Sequence, residues 1–531
     1  MIKYSSVPMS RVSQFAKTDA AYIDENIDLK PFYKYSPTIE GLLIALSDRR
    51  SVELNRVVLR TEITRQYDGI STSALVSDNI ALLDRNNTFT ITTAHQPILA
   101  GGPLYVLYKI LNVINLCRQL KASSPNDNFV PVYVIGGEDH DFEEINHFDS
   151  GTKKAIWAID SHGPVGRLAT DSLQEVLKEI EEIVGSNEIS RDLLQHLATA
   201  YRPGRTYNEA TLEWINFLFG RFGLVVVQMD NLAFKRQFEA SMKRELLEQI
   251  SSTIVADSQS KLLSLGYKSQ AYVRDINLFL MDDHSRNRIS LQDGSYEIVG
   301  TEQTYSEAEI RAMLEQEPNR FSPNVVMRPL LQETILPNLA YVGGGGEIAY
   351  WLERKTQFEA FGIPFPVLIR RNSAVYIGST TEKKLQKTGF ENEDLLNGFD
   401  ALVKRYLHSH ATNPDGLLEE KQKLASIFEA IANKAGSVDS TLQKSALAEL
   451  AKSIQGIEHL EQKITRALKQ KHEVALKQLE QIFAKTFPND SLQERTDYFL
   501  TLLSQLGTNV LDDLLEIMDP LKKEFLFYTE V

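Results

Sequence analysis

An apolar run that stops abruptly in a dense polar cluster constrains this chain more than any other stretch. Val130–Ile135 (VPVYVI) is continuously apolar, as suits a strand buried on both faces of a parallel sheet. Gly136 and Gly137 end it. Glu138, Asp139, His140, Asp141, Glu143, Glu144, Asn146 and His147 follow within ten residues. In open α/β sheets ligands bind outside the carboxyl ends of the strands, so the cluster reads as a site. The alternative is a helix N-terminus whose acids complement the macrodipole, which leaves the two histidines unexplained.

The same rhythm recurs along the chain. Residues 1–85 read as mostly helical and polar. Thr88–Ala94 reads as a strand, followed by the loop His95–Gly102 (HQPILAGG) and a helix from Leu104 to about Leu120. With Val130–Ile135 this makes a βαβ unit. Gly101 and Gly102 precede the helix and can offer N–H groups to an anion, although neither G-x-G-x-x-G nor a P-loop is present. His95, Tyr105 and Lys109 could reach the same ligand, the last two sharing a helix face. A solvated lysine beside a half-buried tyrosine is the plainer alternative. Lys153–Ile159 reads as a strand, residues 172–200 as one amphipathic helix, Thr211–Phe222 as another. Leu224–Met229 (LVVVQM) is a further buried strand. Asp282-Asp283 and Asp293-Gly294 mark turns between short alternating strands, which predicts a small antiparallel insertion at about 270–300.

A third stretch, Phe321–Trp351, carries Arg328, Gln332 and Glu333, then Asn338 and a strand Leu339–Val342, then Gly343, Gly344, Gly345 and Gly346 ahead of a helix at Glu347. Four glycines let a backbone approach a ligand closely or make a flexible joint. Arg328, Glu347, Tyr350 and Trp351 around them favour a pocket. Phe365–Ile369 is the last strand, ending in Arg370 and Arg371.

From about Ser373 helix formers take over. Leu447, Leu450, Ile454, Ile457, Ile464 and Leu468 follow heptad spacing, interrupted by Glu461, and Leu424, Ile427 and Ile431 mark an earlier helix. A turn near Gly436 would make an antiparallel hairpin, either a helical cap or a surface for a partner helix. The tail Leu492–Phe527 is apolar enough to pack back on something.

Composition limits the function. A formal net charge of −14 argues against nucleic acid or an anionic membrane as partner. The single cysteine, Cys117, lies on the apolar face of the helix from Leu104, where a packed thiol is expected rather than a nucleophile. One cysteine permits neither an internal disulfide nor a multi-cysteine zinc site. The amino terminus lacks a signal-peptide pattern and no apolar run is long enough to span a membrane, so a cytoplasmic location is expected.

Three strand ends thus carry polar clusters. Lys109, Arg328 or Arg370 with glycine N–H groups would suit an anion, and the carboxylates an ammonium, sugar hydroxyls or Mg²⁺. His140, Glu144 and His147 at i, i+4 and i+7 would share a helix face, permitting a metal or a hydrogen-bonded structural role. No metal ligand set is assigned.

TAHQPILAGGPLYVLYK (93–109), GGEDHDFEEINH (136–147) and RPLLQETILPNLAYVGGGGEIAYW (328–351) together resemble the BshC family of cysteine ligases of bacillithiol biosynthesis, and the resemblance runs through most of the chain. It implies an α/β fold: a Rossmann-like parallel-sheet core, like that of class I aminoacyl-tRNA synthetases, with connecting-peptide insertions (1–372). A C-terminal α-helical coiled-coil domain (373–531) would dimerise. It implies addition of cysteine to glucosaminyl-malate, with ATP as co-substrate by fold analogy, Mg²⁺ admitted and zinc not expected. The synthetase HIGH motif is absent, with His95 in AHQP at the equivalent turn, and no KMSKS-like loop is found. On this reading His95, Asp139, His140 and Asp141 are catalytic, His140 as a base. Glu138, Glu144, His147, Tyr105, Arg328, Gln332, Glu333, Asn338, Glu347, Tyr350 and Trp351 bind substrate. Gly101, Gly102, Lys109 and Gly343–Gly346 hold the nucleotide. The competing reading is a non-catalytic, dimeric, nucleotide-binding scaffold or sensor of the same pathway.

Overall fold

A computed structural model describes residues 1–151, 153–411 and 416–531. The chain divides into two compact units, 1–375 with 493–531, and 376–492. Among the described residues no helix is long and apolar enough to cross a membrane.

The first unit is built on five parallel strands in the spatial order Val367–Arg370, Asn338–Gly343, Thr88–His95, Asn128–Ile135, Val225–Gln228. Numbered along the chain, that order is 5-4-1-2-3, the doubly wound Rossmann arrangement. All five strands are continuously apolar or threonine-rich because both faces are covered. On one face Phe89, Ile91, Leu339 and Val367 pack with Leu42, Leu46, Val113, Leu116 and Leu120. Cys117 belongs to this cluster, and burial pushes its thiol well up, so it is a packed thiol. Register aligns His95 with Ile135, Ile135 with Gln228, and Gly343 with Arg370, so the polar strand ends share one edge.

Several expectations are corrected. The expected helix at 172–200 is two, Gln174–Val184 and Glu188–Ala200, broken at Gly185, whose φ is +79°. Residues 138–146 are not a helix but a loop with one 3₁₀ turn, Phe142–Glu144, and His147 opens the short strand His147–Asp149. His140, Glu144 and His147 therefore share no helix face. The antiparallel insertion is larger than 270–300: five strands from Leu278–Met281 to Phe321–Pro323. Its Asp293-Gly294 hairpin joins Gln292 to Ser295, both turn residues at positive φ (49° and 81°), as a two-residue turn requires.

Residues 493–531, read with the helical segment 373–531, belong to the first compact unit, where they add the helices Phe499–Leu506 and Val510–Ile517 and a closing strand. Glu524–Glu530 pairs antiparallel with Ile2–Pro8, a strand not foreseen in the polar amino-terminal region. Glu494 is buried against Arg371 at 2.8 Å and also accepts from Ser373 Oγ and the Ala374 N–H.

In the second unit Leu418–Gly436 and Ser440–Lys471 form a hairpin. It is antiparallel: Lys421 pairs with Glu461 at 2.5 Å, and the Leu417 N–H reaches the same carboxylate. Glu461, which interrupts the apolar seam, thereby caps the first helix. The turn falls after Gly436, at Ser437–Asp439. Ile427, Ile431, Leu460 and Ile464 remain exposed.

Candidate active site

The parallel sheet reverses its order between Thr88–His95 and Asn338–Gly343. At such a switch point the two following connections run to opposite faces and leave a crevice at the strand ends. A cavity of about 520 Å³ lies there. Its wall includes His95, Tyr105, Glu138, Asp139, Glu144, Arg328, Gly344, Gly345, Gly346, Glu347 and Tyr350, gathered from all three stretches read in the sequence.

On one side the glycine loop starts the helix Gly345–Leu352. Gly345 lies so close to Asp19 that a Cβ would sit 2.0 Å from its Oδ2. The first-turn N–H groups of a helix have no partner within it, and those of Gly345 and Gly346 begin at the cavity wall. The Gly344 N–H is donated to Glu347 Oε2 at 2.9 Å. Gly343 lies at the strand end, its carbonyl bonded to the Arg371 N–H.

Lys109 is 1% exposed, held by Glu347 at 2.6 Å and by the Ala94 carbonyl at 2.8 Å, so its charge is spent. It is not available to a phosphate. Arg370 is likewise paired with Asp19 at 2.8 Å. Arg328 differs. It donates to Tyr350 Oη at 3.0 Å and to Gln332 at 3.4 Å, and forms no ion pair among the described residues. Burial opposes its charge, but Tyr350, Tyr341 and Glu347 outweigh that and raise its pKa.

Across the cavity the acids divide. Glu138 is neutralised by Lys235 at 2.7 Å and bonded by Ser322. Asp139 accepts from Gln96 Nε2 and from the His140 N–H, both at 2.8 Å. Burial raises its pKa, while Arg286, the His140 N–H and Gln96 together pull it below the usual range, so it is ionised. Glu144 is pushed the other way, by partial burial and by Asp141 and Asp139.

Burial lowers the pKa of both His95 and His140, with Lys109 adding at the first and Arg286 at the second. His95 Nδ1 lies 3.2 Å from the Gln96 carbonyl, which can only accept, so Nδ1 carries the proton and Nε2 accepts from Tyr105 Oη at 2.9 Å. Burial pushes its pKa down to about 4, with Lys109 adding to the effect. His140 Nδ1 accepts from Arg286 Nη1 at 3.0 Å, a group that can only donate. Its neutral tautomer therefore carries the proton on Nε2, as a donor, and the expected role as a base loses its geometric support. Asp141 is exposed on the same loop, outside the cavity wall.

Other expected residues lie elsewhere. Gln332, Glu333 and Asn338 form a buried network: Asn338 accepts from Thr92 at 2.7 Å, and both amides donate to Glu333. Burial lifts Glu333 to about 7. Trp351 is fully buried against Tyr341. The N–H groups of Gly101 and Gly102 go to Ile98 and Leu99 carbonyls, and a Cβ on Gly101 would meet Phe499 at 2.1 Å. That pair is a packing joint, not an anion cradle. His147 lies in a neighbouring cavity. Arg286, from the antiparallel insertion, and Arg495, from the tail, line the site and were not anticipated. Arg286 stacks over Phe279 at 4.1 Å.

Fold and site define a Rossmann-like α/β protein with a ligand cavity at the switch point of its sheet and a separate coiled-coil unit. The profile described as "Bacillithiol biosynthesis BshC, N-terminal Rossmann-like domain" matches residues 2–372, and "Bacillithiol biosynthesis BshC, C-terminal coiled-coil domain" matches 374–530. The chain belongs to the BshC family of bacillithiol biosynthesis. It is 38% identical to a protein of Flavobacterium psychrophilum over 96% of either chain and 37% identical to one of Flavobacterium johnsoniae over 97% of either. A third, from Christiangramia forsetii, is 36% identical over 96% of either. All three are named "Putative cysteine ligase BshC". A solved structure titled as a putative arginyl-tRNA synthetase from Campylobacter jejuni aligns at 12% identity, covering 85% of this chain and 100% of that one, with a TM-score of 0.24.

Proposed function

We propose that this chain is a ligase that joins the carboxylate of cysteine to the amine of glucosaminyl-malate, completing bacillithiol, with ATP activating the carboxylate in the cytoplasm. The charge pattern of the switch-point cavity is the main support. Arg328 and the glycine-started helix face one side with uncompensated positive character, and ionised Asp139 with Glu144 faces the other. An anion and an amine must meet for such a ligation.

In this reading Arg328 and the N–H groups of Gly345 and Gly346 hold phosphate oxygens, and Asp139 holds an ammonium or sugar hydroxyl. Mg²⁺ carried on the phosphates would meet Asp139 and Glu144. Cysteine and ATP give the acyl adenylate and pyrophosphate. The amine nitrogen then attacks the acyl carbon, the carbon–oxygen bond to AMP breaks, and the amine proton passes to Glu144, whose raised pKa suits it to accept. The protein's part is positioning and charge stabilisation.

Purified protein given ATP, Mg²⁺, cysteine and glucosaminyl-malate is expected to release AMP and bacillithiol in equal amounts, followed by mass spectrometry. A scaffold would bind ATP and form no amide, an outcome that sinks the ligase reading.

The exposed apolar side chains of the hairpin support pairing with a second copy. Light scattering should give about twice the 60.1 kDa chain mass, and Leu460→Glu with Ile464→Glu should return it to one chain. A wild-type monomer at micromolar concentration would rule the dimer out.

A further inference from the structure

A second cavity, of about 370 Å³, adjoins the first. The two share His95, Gln96, Tyr105, Glu144 and Arg495, so they meet at a common junction. We infer that this second cavity is the subsite for the carboxylate-bearing arm of the acceptor, with Arg495 as its anion clamp. The inference rests on the ligase reading above and deepens it.

Its charges point that way. Lys154 is neutralised by Asp149 at 3.0 Å. Burial and Lys154 hold His147 below its usual pKa, so it adds no charge. Arg495, at the end of the turn Gln493–Arg495, makes no hydrogen bond and no ion pair among the described residues. It is thus the one uncompensated cation on this wall among the described residues. An arginine fork with no protein partner matches a carboxylate in two parallel hydrogen bonds.

Topology adds a second argument. In a ligation two ligands converge on one acyl carbon from different directions. The first cavity already offers an anion site at Arg328 and the glycine helix. An acceptor reaching from the second cavity into the junction would set its carboxylates against Arg495 and its amine beside Glu144, both of which line the junction. Glu144 and Arg495 form no ion pair with each other, so both poles stay open to a ligand carrying both charges. Cysteine also carries both, but 370 Å³ is a pocket for a ligand of drug size, well beyond an amino acid of seven heavy atoms.

The test compares Arg495→Ala and Arg495→Lys with wild type on two acceptors: glucosaminyl-malate and methyl glucosaminide, which lacks the acid. Arg495→Ala should raise KM for glucosaminyl-malate about 10- to 100-fold with kcat within about threefold, and leave KM for cysteine and ATP unchanged. Arg495→Lys should recover part of the loss. On methyl glucosaminide the variants should equal wild type. Equal losses on both acceptors, or a raised KM for cysteine instead, would overturn the assignment. Binding of glucosaminyl-malate by calorimetry, without ATP, separates the two readings. Binding that weakens in Arg495→Ala keeps the subsite even where no amide forms. Amide formation with unchanged acceptor binding removes the subsite and keeps the ligase.

Discussion

Replacing Arg328 by alanine is expected to lower kcat/KM for amide formation by about 100- to 1,000-fold, the scale for removing one preorganised charge donor. The cavity has several cations nearby, yet most are already spent. Lys109 is bound to Glu347, Arg370 to Asp19 and Arg371 to Glu494. Only neutral groups, Tyr350 and Gln332, hold the Arg328 fork, so its charge remains for a ligand. The loss should appear in kcat as well as KM if the anion gains charge in the transition state. Arg328→Lys should stay at least about tenfold below wild type, because an ammonium lacks the planar fork. Unfolding free energy should fall by no more than about 1–2 kcal/mol, since only two hydrogen bonds to neutral groups are lost. A loss under fivefold would take Arg328 out of the machinery.

Glu494→Ala is expected to cost about 3–5 kcal/mol of stability, the usual consequence of leaving a buried charge alone. Arg371 and Glu494 are 4% and 1% exposed, and both guanidinium Nη atoms reach the carboxylate, at 3.0 and 2.8 Å. Removing Glu494 strands Arg371 and also frees Ser373 Oγ and the Ala374 N–H. Glu494→Gln keeps the shape without the charge and should fall between the two. Urea unfolding of the three proteins checks the order, and an alanine variant within 1 kcal/mol of wild type would refute the argument. Because Arg371 lines the cavity, activity should decline with stability.

How far the sequence spoke for the site depended on where each residue came from. Strand ends were legible because a run such as Val130–Ile135 can only be deeply buried, and the glycine and acid clusters follow such runs directly. What was misread was polar and close to a strand. Asn338 looked like a ligand contact beside the glycine loop, but Thr90 and Thr92 on the next strand occupy it. Two threonines inside a buried strand were the available signal, since buried hydroxyls need partners. Lys109 looked free because its partner, Glu347, is far away in sequence. Arg286 and Arg495 were missed for the same reason in reverse. They reach the site from an antiparallel insertion and from beyond the helical hairpin, and no local pattern announces a contact over such separations. The loop at 138–146 differs for another reason: acids and histidines at helix-face spacing suggest a helix, whereas Asp139 accepts from the His140 N–H and the backbone turns instead.

The return of the tail sets an order on how this molecule can be made. The strand Ile2–Pro8 has no partner until residues 524–530 leave the ribosome, and Glu494 and Arg495 arrive only after the whole hairpin. Five parallel strands can assemble earlier, since all lie before residue 371. A nascent chain therefore carries the sheet and its acids with Arg495 missing from the cavity lining and Arg371 without Glu494. Contacts across so long a separation form slowly and late, after the costly loop closure. The cavity's lining is therefore completed only once Arg495 has joined the sheet.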